Sequence, residues 1–327
     1  MKKLVFFLLI AISIYSQTYN PSLLSCMISV EKDTFLIDEP IYVEFKETNI
    51  GNVDVLTNRF HCDGPFYSDM LIGPDGKNIG RHGGIRYGLY DKPATGYLLK
   101  PSESQYFVIP IHRYYGYSYR GPETNRSVYL PPGKYSFQIT HYANDNYLYE
   151  KTKAEFSKVK KSIDRMLIVS NELVFYIINP NAEQEKERLA YLECRRTYGW
   201  EKNKEEIIRL YREYFDKYKN SPLFYKYDLM IELEMYLSSP GDTQIFYTRE
   251  EILSEIKNSY RSYYFCGSSR LIYDDLKNDS RQFTPKIEAC RRIAEKYPDT
   301  KLSKYVQVEA REFERRKVKW LKEGKEE

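Results

Sequence analysis

The chain has 327 residues, with 50 lysines and arginines against 46 aspartates and glutamates and a formal charge of +4. Two of those excess charges are Lys2 and Lys3, and no long block of one sign follows, so neither half has the basic surface of a nucleic-acid-binding domain. A hydrophobic fraction of 42% with 29% charged residues excludes disorder and a multi-pass membrane protein, and the length suits about two domains.

Met1-Lys2-Lys3, the apolar run from Leu4 to Tyr15 and the exit Ser16-Gln17 have the order of a secretory signal, resembling bacterial leaders. Residues 1–16 are therefore expected to be a signal peptide, and the rest an exported protein, periplasmic or extracellular, with no transmembrane span in the mature chain. Leu23-Leu24-Ser25-Cys26 looks like the lipobox of bacterial lipoproteins, but the polar segment Gln17 to Ser22 separates it from the apolar run. Cys26 is accordingly read as part of the first strand, without a lipid anchor. All five cysteines (Cys26, Cys62, Cys194, Cys266, Cys290) lie beyond the leader, where disulfides can form. Cys26 with Cys62 is the candidate bridge; no CxxC spacing supports a structural zinc.

From Ile28 to about Ile178, short alternating runs separated by turn residues predict an antiparallel sandwich of about eight strands. Ile41, Val43 and Phe45 alternate with Tyr42 and Glu44, and further runs cover Tyr106 to Ile111, Tyr135 to Thr140 and Met166 to Ile178. Gly73-Pro74-Asp75-Gly76 is a hairpin signal, because Pro presets φ at one position and Gly accepts positive φ at another.

Asp38-Glu39-Pro40-Ile41 on an early strand, the Pro74-Asp75-Gly76 hairpin, the bend Lys100-Pro101-Ser102-Glu103 and Pro132-Gly133-Lys134-Tyr135 before a late strand together resemble exported bacterial immunoglobulin-like modules. Ser102 stands where that pattern carries Gly. The resemblance implies an immunoglobulin-like β-sandwich over residues 17–180; its residues make turns and strand entries and bring no active site with them.

After Asn179-Pro180-Asn181 the apolar period lengthens to about three and a half, which predicts an all-α domain over residues 181–327. Asn181 with Gln184, Asn203 with Glu206 and Thr248 with Glu251 have capping-box spacing, and Ser221-Pro222 and Thr284-Pro285 signal two more helix starts. Ile207, Tyr211, Tyr214, Phe215 and Tyr218 form one apolar stripe. Lys217-Tyr218-Lys219-Asn220-Ser221 and Lys296-Tyr297-Pro298-Asp299-Thr300 resemble the junction of tetratricopeptide-like repeats in bacterial envelope proteins, which implies helical hairpins. Ala289, Ala294 and Ala310, the small residues that permit close helix contact, occur only in the last copy. The fold class expected is thus α+β as separate domains: an N-terminal antiparallel immunoglobulin-like β-sandwich and a C-terminal tetratricopeptide-like helical-hairpin domain.

No motif carries chemistry. His61, His82, His112 and His141 show no converging spacing for a metal and read as loop histidines. Ser157 to Lys160 and Ser254 to Lys257 match the bare SxxK spacing without its companion elements. No catalytic residue, cofactor site or metal site is assigned. Tyrosine is the compositional outlier, 33 residues against 16 Phe and 2 Trp, read either as half-buried packing or as an aromatic binding face. Its densest run, Arg113-Tyr114-Tyr115-Gly116-Tyr117-Ser118-Tyr119-Arg120, offers Tyr114, Tyr115, Tyr117 and Tyr119 as partner-binding residues, since such rings give contact area at little entropy cost. A basic stretch, Arg311, Arg315, Arg316, Lys317 and Lys319, closes the chain, read as a solvated last helix or a contact for anionic lipid or nucleic acid. The expectation is a non-enzymatic binding protein of the bacterial cell envelope that mediates protein–protein interaction or assembly with an envelope protein. A polysaccharide-binding accessory protein using the tyrosine-rich loops is the alternative, and an uncharacterised hydrolase the third reading.

Overall fold

A computed structural model describes residues 23–52, 54–58, 67–80, 96–114, 117–118, 128–144, 165–196, 204–236, 249–263, 283–322 and 324. The expected signal peptide at 1–16 lies outside these residues. In chain order the strands are β1 (Leu24–Ser29), β2 (Thr34–Leu36), β3 (Tyr42–Asn49), β4 (Val55–Asn58), β5 (Tyr67–Ile72), β6 (Gly96–Leu99), β7 (Ser104–Pro110), β8 (Tyr117–Ser118), β9 (Val128–Tyr129), β10 (Gly133–Asn144), β11 (Arg165–Val169) and β12 (Leu173–Ile178). A four-residue helix α1 (Ile111–Tyr114) follows β7, and the rest of the helices come after the strands: α2 (Ala182–Arg196), α3 (Lys204–Tyr218), α4 (Tyr225–Tyr236), α5 (Arg249–Ile256), α6 (Phe283–Lys296) and α7 (Lys301–Lys322). None of the described helices is long and apolar enough to cross a membrane.

The N-terminal part is built on antiparallel sheets. One has the order β1-β3-β7, with Ile28 opposite Phe45 and Phe45 opposite Phe107. The other centres on β10, which pairs with β5 along one edge and with β12 and then β11 along the other, while β2 adds in parallel beyond β12. The run from Met166 to Ile178, expected as one strand, is broken at Ser170-Asn171. There Ser170 Oγ accepts from Ile139 N, and the Asn171 side chain accepts from Ile28 N at 2.8 Å and donates to Ile28 O at 3.0 Å. A side-chain amide thus stands in for a neighbouring strand on the edge of β1 and ties the sheets together.

Strand alternation sends Val43 and Phe45 of β3, Ile109 of β7, Phe137 and Ile139 of β10 and Phe175 and Ile177 of β12 into one buried cluster. Each such side chain contributes roughly 1.5–3 kcal/mol. Tyr135 stacks on Phe175 with ring centres 5.4 Å apart, and its hydroxyl donates to Pro131 O four residues back.

Turn chemistry follows the sequence closely. Gly76 takes φ 74° in the hairpin after β5, where Gly76 N donates to Gly73 O and Gly73 N to Lys77 O. Gly133, which opens β10, lies against that hairpin so tightly that a Cβ would come within 2.3 Å of Pro74 Cγ. Ser102, at the resemblance's Gly position, sits at φ 66°.

Strand gives way to helix between Ile178 and Ala182. Asn181 caps α2 in a reciprocal box, accepting from Gln184 N and donating its own N–H to Gln184 Oε1, both at 2.9 Å. The stripe on α3 packs inward, with Ile207, Tyr211, Tyr214 and Phe215 buried and Tyr218 partly so. At the last junction Asp299 adopts φ 60° and Thr300 Oγ1 accepts from Ser303 N to cap α7. Ser303 meets Ala294, Arg291 pairs with Glu314 and Lys317 bonds Thr284, so α6 and α7 form an antiparallel hairpin. α3 and α4, which flank the first copy of that junction, pack far less extensively on each other, consistent with the alanines being confined to the last copy.

The helices cover the face of β3 and β7 that points away from the strand core. Tyr42 and Val108 belong to the helical cluster with Tyr191, Tyr225, Leu229 and Tyr305, while Val308 of α7 belongs to the strand cluster. β3 is therefore covered on both faces near its start, which is why it reads buried at both Tyr42 and Val43.

Candidate functional site

The seam between sheet and helices holds a connected group of buried polar side chains. Its centre is Asp228 on α4, fully buried. Asp228 Oδ1 accepts from the Tyr42 hydroxyl at 2.8 Å and lies 3.3 Å from His112 Nε2; Oδ2 accepts from the Tyr191 hydroxyl at 2.9 Å. Four elements, β3, α1, α2 and α4, thus meet on one carboxylate, and three donors satisfy a charge that burial would otherwise penalise by several kcal/mol. The ring of His112 also packs edge-on against Tyr42 at 5.0 Å.

Further bonds continue along the seam. Tyr225 donates to Ile37 O at 2.8 Å, Arg188 pairs with Asp38 at 3.0 Å, and Arg261 pairs with Glu31 at 3.0 Å. The Arg261 guanidinium lies 3.4 Å from the centre of the Phe224 ring, and Lys32 approaches the same ring at 4.6 Å. Ser29 and Tyr260 share a hydrogen bond at 2.8 Å, Tyr263 stacks on Tyr305 at 4.8 Å, and burial pushes the Glu44 carboxyl beside them above its ordinary range. In the basic stretch of α7, Arg315 reaches Glu103 of the strand half at 2.6 Å, while Arg316 pairs with Glu312 within the helix at 2.7 Å and Lys317 bonds Thr284 of α6. These pairs occupy cations that the sequence offers to anionic surfaces.

The seam bears directly on the tyrosine run. α1 is pinned by His112, and Tyr114 ends that helix two residues later. Tyr117 opens β8, which pairs with β9 through Tyr117 opposite Tyr129. Tyr115 and Tyr119 lie outside the described residues. His112, expected as a loop histidine, is instead a helix residue bonded across the seam; its partner Asp228 is separated from it by 116 positions and stands in no local motif.

A second polar group lies inside the strand core. Glu47 is fully buried and accepts from Thr57 Oγ1 at 2.9 Å and from the Gln105 side-chain amide. Burial pushes its carboxyl up to about 7, opposed by those two hydrogen bonds. Cys26, opposite Glu47 in the sheet register, is a buried free thiol on β1 as expected for its strand. Burial and then the Glu47 charge push that thiol up, the reverse of what a nucleophile requires. Its candidate bridge partner Cys62 lies outside the described residues. Among the described residues no three His, Cys, Asp or Glu side chains come together for a metal ion. A shallow depression on α3, lined by Arg209, Arg212, Glu213 and Asp216, is a surface of one helix whose Arg209 and Glu213 pair at 2.6 Å.

No protein-family model and no curated protein matches the chain. Among solved structures it is similar to the CARDB domain of a Pyrococcus furiosus protein, in complex with di-metal ions, at 10% identity and TM-score 0.24 over 48% of this chain and 94% of that one. The sporulation control protein Spo0M of Bacillus subtilis aligns at 10% identity and TM-score 0.22 over 54% of this chain and 56% of that one. Escherichia coli alpha-2-macroglobulin, from domain MG7 to the C-terminus, aligns at 10% identity and TM-score 0.23 over 87% of this chain and 48% of that one. Similarities this slight assign the chain neither a family nor a function.

Proposed function

We propose that the protein is an exported, non-enzymatic binding protein of the bacterial cell envelope, periplasmic or extracellular, that mediates protein–protein interaction or assembly. In this reading an immunoglobulin-like sandwich is fixed to a tetratricopeptide-like helical region, and the tyrosine run from Tyr114 to Tyr119 contacts the partner. The observation that carries it is the pinning of α1 by His112 at the seam, immediately before that run. A contact segment tied down at one end has less conformational freedom to lose on association. The sandwich reading draws on the core shared by both sheets and on the Tyr135 hydroxyl bonded back to Pro131, the corner found in immunoglobulin-like domains. The repeat reading draws on the α6–α7 hairpin and its Thr300 cap.

In-cell crosslinking of the tagged protein in its native host, followed by mass spectrometry, tests the role. One enriched envelope protein is expected, lost with Tyr115→Ala and Tyr117→Ala in a chain of unchanged stability. If no protein is enriched and the chain stays with the cell-wall or capsular fraction, the assembly role fails and the same tyrosines are tested against glycans. The mature N-terminus, read in the same experiment, is expected at Gln17.

A further inference from the structure

His112 occupies an unusual position between two opposite backbone groups. Its Nδ1 lies 3.1 Å from Ile41 N and 3.2 Å from Ile41 O, while Nε2 lies 3.3 Å from Asp228 Oδ1. The side chain is only 8% exposed, and Asp228 is fully buried. In the neutral ring with hydrogen on Nε2, Nδ1 is an acceptor and takes the Ile41 N–H, while Nε2–H donates to Asp228. In the imidazolium, both nitrogens are donors. Nδ1–H then faces Ile41 O as its acceptor, and the contact to Asp228 becomes a charge-assisted pair. The two arrangements are mutually exclusive at Nδ1, yet both leave the ring with a partner at each nitrogen.

The geometry points to His112 as a pH-operated pin of the sheet–helix seam, whose protonation exchanges an Ile41 N–H→Nδ1 bond for an Nδ1–H→Ile41 O bond and converts the Asp228 contact into an ion pair. The proton comes from solvent, and no other bond is made or broken. Groups that face this exchange include Asp228 from α4 and Tyr42 from β3, with Tyr191 of α2 on the second Asp228 oxygen. At one remove stand Arg195, whose Nη1 donates to the Tyr191 hydroxyl at 3.2 Å, and Arg261, 5.3 Å from the centre of the Tyr42 ring. Ile41 precedes β3 and His112 lies on α1, so the exchange acts where the first sheet, the helices and the base of the tyrosine run meet. Ile41 O also accepts from Ile111 N at 2.9 Å, which keeps the α1 backbone against this corner in both arrangements.

Nuclear magnetic resonance on the mature chain labelled with 15N-isoleucine and with 13C,15N-histidine tests the exchange directly, between about pH 5 and 8. Expected at the alkaline end are an unprotonated His112 Nδ1 and a hydrogen-bonded Ile41 amide. On acidification the Ile41 amide proton moves upfield with the same midpoint as the His112 ring signals, as its acceptor is lost. In Asp228→Asn, which keeps a neutral acceptor oxygen, that midpoint moves to lower pH. A histidine packed for structure alone would leave the Ile41 amide unmoved. An Ile41 amide that stays flat while His112 titrates, a His112 that holds one state throughout, or a proton already on Nδ1 at the alkaline end overturns the proposal. The measurement on the unsubstituted chain decides the matter even if Asp228→Asn does not fold. Signals are assigned by replacing His61, His82 and His141 with Gln.

Discussion

The strand core and the helical core solve the same burial problem with different chemistry. Between the sheets, the buried cluster is Phe, Ile, Val and Leu with Cys26, and Tyr135 is the tyrosine among its described buried members. Between the helices and at the seam aliphatic residues are joined by a set of tyrosines: Tyr42, Tyr191, Tyr211, Tyr214, Tyr225, Tyr260, Tyr263, Tyr297 and Tyr305. An aliphatic core places no demand on its neighbours beyond shape. A tyrosine core requires an acceptor for each buried hydroxyl, and here carboxylates and backbone carbonyls supply several: Asp228 for Tyr42 and Tyr191, Glu187 for Tyr214, Ile37 O for Tyr225. Among the described residues, part of the tyrosine complement therefore belongs to packing that is at once apolar and directional. The difference also explains why the seam is specific, since hydrogen bonds fix a register that oily contact alone leaves loose.

This contrast can be broken at its centre. Asp228→Ala leaves the hydroxyls of Tyr42 and Tyr191 and the His112 ring without their common acceptor, and is expected to cost ~3–5 kcal/mol in chemical denaturation, the largest effect of any single change at the seam. Val43→Ala, in the strand core, removes only apolar area and leaves a small cavity; it is expected to cost about 1.5–3 kcal/mol without changing the pH dependence.

Glu47 bears on this difference because it is a buried carboxyl inside the aliphatic core. Its carboxyl stands at about 7 in the folded chain against an ordinary 4.5, so the folded state holds the proton more tightly than the unfolded one. The stability it contributes is fully present below about pH 4.5 and is lost as pH rises toward about 7. Glu47→Gln should remove roughly 3 kcal/mol of that pH dependence, leaving the variant more stable than the natural chain at pH 8 and little different at pH 4, as unfolding midpoints across pH would show. A slope unchanged by the substitution would mean that the carboxyl is not held neutral.

Tyr214→Phe keeps the ring and deletes the hydroxyl that donates to Glu187 Oε1, leaving Ser221 on Oε2. A loss of about 1–2 kcal/mol is expected, since a buried carboxylate oxygen loses its donor. The smallest expected effect has the opposite sign. Ser102→Gly relieves a left-handed backbone at φ 66° and should stabilise by about 0.5–1 kcal/mol, measured as a rise in thermal midpoint.

Local features were legible in the sequence wherever one segment carries the whole signal. The Asn181–Gln184 box, the stripe from Ile207 to Tyr218 and the turn at Gly73 to Gly76 all stand where spacing and residue type place them. The break at Ser170-Asn171 escaped because Met166 to Ile178 is apolar enough to read as one run; the polar pair there serves Ile139 and Ile28, partners remote in sequence. The seam escaped for the same reason on a larger scale. Nothing near Asp228 distinguishes it from other helix carboxylates, and Tyr42 sits on the outward face of a strand whose inward face already accounts for its pattern. Sites assembled from four elements have no local period.

If the polar seam holds the two halves as one body, they lose structure together. Hydrogen exchange read by mass spectrometry on the intact chain in rising denaturant tests it most directly, by following peptides from β3 and β10 together with peptides from α3 and α7. Both sets are expected to lose protection at the same denaturant concentration in the natural chain and to separate in Asp228→Ala. Two well-separated transitions in the natural chain would contradict it.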